Sequence, residues 1–126
     1  MKMRFGFVTN SSSSSFVIAK KSDVDINHLA QYIYKNGLLG YIIENIEYID
    51  IPNDIKEAYE NDDIKFEEML AMYLAEELTS FDSDMKLGDW IVSGGEASNE
   101  TKDLVDFFIY NQGGIDFEDF KITTIR

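Results

Sequence analysis

The stretch Arg4–Lys21, RFGFVTNSSSSSFVIAKK, decides whether the chain contains a sheet at all. Five consecutive serines, Ser11 to Ser15, sit between two short apolar runs. Phe5, Val8, Phe16, Val17 and Ile18 are aromatic or β-branched, types that suit a pleated, half-buried surface. They predict strands over 4–8 and 15–19. Thr9–Ser14 is rich in side chains that hydrogen-bond their own backbone and favour turns. The simple expectation is a hairpin or loop at 9–15, with an extended linker between non-adjacent strands as the alternative.

Outward from this stretch, helical and extended patterns alternate. Ser22 and Asp25 form a capping-box-like pair, and Leu29 and Ile33 recur at helical spacing. A helix is therefore expected over 25–35, stopped at Asn36-Gly37. Residues 46–51 nearly alternate and are rich in Ile, which predicts a strand ended by Pro52; residues 39–43 fit either a helical turn or another strand. A short helix is expected over 53–59. Over 64–79, Phe66, Met69, Leu70, Tyr73, Leu74 and Leu78 make one apolar stripe, the strongest helical signal in the chain. Trp90, Ile91 and Val92 read as a strand ended by Gly94-Gly95. A helix capped by Ser98 or Asn99 should run to about Tyr110, with Leu104, Val105, Phe107 and Phe108 on its apolar face, and Phe120–Ile125 should be a last strand. The order predicts one α+β domain over 1–126: a mainly antiparallel or mixed sheet with helices packed on one face.

Composition supports a folded body. The chain has 126 residues, of which 44% are hydrophobic and 13% aromatic, enough for one core. It has no cysteine, which excludes disulfides and thiolate metal sites. No signal peptide or membrane span is visible, so a cytoplasmic setting is expected.

Charge is unevenly distributed. Lys and Arg total 11 against 24 Asp and Glu, a net −13. Residues 1–21 carry Lys2, Arg4, Lys20 and Lys21 and no acid. From Glu44 to Asp84, only Lys56 and Lys65 offset the acids. Such a surface repels phosphate backbones and attracts cations. It argues against direct nucleic-acid binding and for a protein partner with a basic surface. The candidate face is Glu57, Glu60, Asp62, Asp63, Glu67, Glu68, Glu76 and Glu77, off the apolar stripe.

Catalytic signals are weak. The serine run lacks the glycines and the Lys-Ser/Thr pair of a phosphate loop. His28 is the sole histidine. It offers neither a zinc set nor a recognisable triad, and reads as an ordinary helix residue. Asp82-Ser83-Asp84 lacks the Gly and Glu that a calcium loop needs at its sixth and twelfth positions. Ser93-Gly94-Gly95-Glu96 reads as a turn plus helix cap. Phe107, Phe108, Tyr110, Phe117 and Phe120 are dense enough for a binding surface, but core packing is the simpler use. No cofactor, metal or catalytic residue is assigned.

Gly6 to Phe16, GFVTNSSSSSF, resembles an N-terminal signature of the form GFVxNSSSSSF. That signature is shared by small uncharacterised proteins of bacteria, chiefly Firmicutes, and of their tailed phages. The resemblance implies a bacterial or phage setting and a shared processing, packaging or docking signal. It carries over no catalytic residue.

The leading expectation is a non-enzymatic, acidic interaction protein of phage or mobile-element type, an inhibitor or nucleic-acid mimic in effect. One alternative is a virion or assembly component docked through the Ser-rich N-terminus. Another is a small-ligand binder or enzyme using Asn10, Ser11, Ser12, Ser13, Ser14 and Ser15, with Lys20 or Lys21 nearby.

Overall fold

The computed structural model describes residues 13–98 and 100–125. The element order is β1 (Ser13–Lys21), α1 (Ile26–Lys35), α2 (Gly40–Glu44), α3 (Asn53–Glu60), α4 (Phe66–Thr79), β2 (Met85–Leu87), β3 (Trp90–Ser98), α5 (Leu104–Gln112), β4 (Ile115–Asp116) and β5 (Phe120–Ile125). The five strands form one sheet in the order β2-β3-β1-β5-β4, antiparallel throughout. This is an α+β domain with the expected antiparallel sheet.

Ser13–Lys21, the described part of the Arg4–Lys21 stretch, becomes the centre of that sheet. β1 pairs with β3 from Ser13↔Ser98 to Lys21↔Trp90, and with β5 from Ser15↔Ile125 to Lys20↔Phe120. Both of its edges are occupied over 15–20. The strand expected over 4–8 and the connection at 9–12 lie outside the described residues. Ser13 and Ser14, read as part of the turn, belong with Ser15 to the strand itself. Long-range pairing overrode their turn preference.

Strand alternation divides the sheet into two faces. Ser14, Phe16, Ile18 and Lys20 of β1 share a face with Ala97 of β3 and with Phe120 and Ile122 of β5. α5 packs here, against β1, β3 and β5, and α4 lies against α1, α3 and α5. Phe108 and Phe120 are among the largest fully buried side chains, each worth about 2–3 kcal/mol of burial. The opposite face carries Val17, Met85, Leu87 and Ile125, all exposed.

Several boundaries differ from expectation. α1 is capped by Asp25, whose Oδ1 accepts from the His28 N–H at 3.1 Å, and not by Ser22. Residues 45–48 form turns following α2 and 49–51 continue irregularly, so the strand expected over 46–51 is absent. Leu39, Ile42, Ile46 and Ile49 are buried while Tyr48 is 69% exposed. The buried positions recur every three or four residues, a helical period that outweighed the β-branched composition. Gly94-Gly95 does not end β3, which runs through to Ser98, so Ser93–Glu96 is strand and not a turn. Gly95 faces Phe16, and a Cβ there would lie 2.9 Å from the ring. The glycine admits the aromatic. α5 starts later than expected, capped by Asp103, whose Oδ2 accepts from the Asp106 N–H at 2.9 Å.

Candidate functional site

The eight carboxylates singled out from the sequence lie on two consecutive elements and their connection. Glu57 and Glu60 are on α3, Asp62 and Asp63 are in the link, and Glu67, Glu68, Glu76 and Glu77 are on α4. All eight are exposed. α4 explains why: Phe66, Leu70, Ala71, Leu74, Ala75 and Leu78 are buried, which turns the glutamates outward. Among the described residues, none of the eight forms a side-chain ion pair, whereas His28 pairs with Asp25 and Lys121 with Asp116. Asp63 Oδ1 accepts from the Lys65 backbone N–H at 2.9 Å, a local turn bond. No group of three or more potential ligands could hold a metal ion among the described residues.

Between the start of α3 and α4 runs a groove of about 460 Å³. Pro52, Ile55, Met69, Met72 and Tyr73 supply its apolar part. Burial, and then the charges of Glu77 and Asp103, push the Tyr73 phenol above its ordinary value, so it remains a neutral hydroxyl. The sequence placed Met69 and Tyr73 in the core stripe. They are only half-buried. The available signal was that α4 is apolar over more than one stripe, with Ala71, Met72 and Ala75 beside it. That surplus needs a second covering element, and α3 covers it incompletely.

Among the described residues the serines, Ser13 to Ser15, do not converge on a site. Ser13 and Ser15 face one side of the sheet and Ser14 the other, as the pleat requires. Ser14 is 5% exposed, and its Oγ has no hydrogen-bond partner among the described residues. Asn10, Ser11 and Ser12 lie outside the described residues. Nor do the neighbouring lysines serve them. Lys20 Nζ donates to the carbonyls of Thr79 and Phe81 at the end of α4, and lies 4.6 Å from the centre of the Phe81 ring. Lys21 is on the other face, 5.4 Å from the Trp90 ring. His28 is an exposed residue in the first turn of α1, its Nδ1 3.9 Å from Asp25.

A second surface went unnoticed in the sequence. Trp90 is flanked on the open sheet face by Lys21 and by Lys121, 5.7 Å from its ring, and Lys121 is paired with Asp116. Finding it requires the register of three strands. Of the five aromatic residues grouped near the C-terminus, Phe107, Phe108 and Phe120 are buried, and Tyr110 and Phe117 half-buried, which is core packing. No helix among the described residues is long and apolar enough to cross a membrane. Comparison of the chain with protein-family models, with curated proteins and with solved structures gives no match in any of the three.

Proposed function

We propose that this protein is a non-enzymatic binding module whose α3–α4 surface engages a basic surface on a partner protein. One observation carries the reading: eight exposed carboxylates on adjoining elements have no ion-pair partner among the described residues. Here the acids from Glu44 to Asp84 meet only Lys56 and Lys65. Their summed potential raises the local concentration of a cationic partner and speeds encounter, and salt weakens both effects. Competition with nucleic acid for a basic protein surface follows from the same field.

The test is binding of a lysine-rich peptide by fluorescence anisotropy as salt is raised from about 0.05 to about 0.5 M. Affinity should fall steeply with salt. The double reversal Glu67→Lys/Glu77→Lys should weaken low-salt binding about tenfold or more. Asp89→Lys/Glu118→Lys makes the same net change on the turns of the sheet and should cost about threefold or less. Equal losses in the two variants would show a response to total charge and dispose of the α3–α4 assignment.

A further inference from the structure

Met69, Met72, Tyr73 and Glu76 follow one another at i, i+3, i+4 and i+7 along α4, so they share one strip of its surface. Ile55 and Pro52 close the far side of the groove. Its edges carry Asp54, Glu68 and Glu76 against Lys65. None of these four side chains is in an ion pair among the described residues. Asp54 Oδ1 accepts from the Ile55 backbone N–H at 2.9 Å.

We infer that this groove seats a cationic amphipathic segment of a partner protein, with bulky apolar side chains on the methionines and lysines or arginines against the rim carboxylates. The inference rests on the acidic-surface reading above and narrows the chemistry of its partner. The apolar floor alone would accept a segment of any charge; the rim decides. A neutral segment would strip water from three carboxylates and return nothing. An anionic one would add like charges at close range. A basic segment supplies the missing counterions while its apolar residues cover Met69, Met72 and Tyr73. Two unbranched thioethers can repack around different apolar side chains, so the groove selects a charge pattern more strictly than a side-chain shape.

The experiment uses the whole chain with isotopically labelled methionine methyls and two peptides of equal positive charge. One has leucines between its lysines; in the other, serines replace the leucines. The leucine peptide should bind about tenfold or more tightly and retain measurable affinity at about 0.5 M salt, because burying one such side chain is worth that much. It should shift the Met69 and Met72 methyl signals and leave Met85, on β2, unmoved. Met69→Gln/Met72→Gln should abolish the difference between the peptides. Equal affinity for both peptides would overturn the groove and leave the acidic surface standing. A response confined to Met85 would move the contact to the sheet, and shifts driven by protein concentration alone would make a second copy the occupant; either overturns the inference. Binding of neither peptide would remove both readings. The methyl signals are read on the unaltered chain, so the outcome does not depend on the variant folding.

Discussion

Lys20 and Lys21 are adjacent in sequence and opposite in role. Alternation along β1 sends Lys20 inward, where its ammonium binds the carbonyls of Thr79, the last residue of α4, and of Phe81 just beyond it. The Thr79 carbonyl would otherwise be without a helical partner. Glu76 and Glu77 crowd the same end of the helix, where the macrodipole is negative, so a cation there counters both. Lys20 thus ties the central strand to the central helix. Lys20→Met keeps the aliphatic stem and removes the charge and both hydrogen bonds. It should cost about 1–3 kcal/mol in urea unfolding. Lys21→Met, which loses a contact above an indole on the open face, should stay within about 1 kcal/mol. Equal losses would mean that the clamp contributes no more than a surface lysine.

At the level of elements, the start of α5 makes a pH-dependent statement. Burial, and then the charge of Asp103, raise the Asp106 carboxyl above its ordinary 3.8. The helix dipole favours the charged form at this position, yet the net direction is upward. An acid with a raised folded pKa binds more protons in the folded state between 3.8 and that higher value. Stability therefore falls as pH rises through this window, and the penalty is complete above it. Asp106→Asn should be more stable than the parent at neutral pH, with the advantage shrinking to nothing as pH falls below 3.8. Paired urea titrations across that range check it, and an advantage that persists under acid would refute the cause. β3 offers a steric counterpart. Gly95→Ala would press a methyl against the Phe16 ring at the centre of the sheet and should cost about 1–3 kcal/mol. An unchanged melting curve would show that the ring moves aside freely. These two elements also show what the sequence leaves legible. The apolar stripe of α4 is strong because fourteen residues repeat one period. A pair such as Gly94-Gly95 has the same local appearance whether it ends a strand or admits an aromatic from a neighbouring one. The neighbour, Phe16, is remote in sequence, so the distinction lies in tertiary packing. The same holds for Ser13–Ser15, whose place in β1 depends on pairing with the last third of the chain.

Across the whole molecule, the acids of α3 and α4 cover the helical side, while the open sheet face carries Lys21 and Lys121 together with Glu96 and Asp116. The acidic surface was legible in sequence because helical periodicity alone turns Glu67, Glu68, Glu76 and Glu77 outward. The groove beside it was not, since it exists only where α3 and α4 fail to close. A net charge of −13 on a small body has a thermodynamic consequence. Folding brings the carboxylates closer together than they are in the extended chain, and few among the described residues are neutralised by a neighbouring cation. Self-repulsion therefore opposes the folded state, and screening should relieve it. Raising sodium chloride from about 0.02 to about 0.2 M should raise the melting temperature by about 3–6 °C. Glu67→Lys/Glu77→Lys should begin higher at low salt and gain less from added salt, because it removes two of the repelling charges and adds two opposite ones. The same two glutamates are asked to attract a partner, so the variant should be more stable and bind less. A variant that lost affinity without gaining low-salt stability would show that these carboxylates do not repel one another in the folded state. The field invoked to draw in a cationic surface would then have no source in α4.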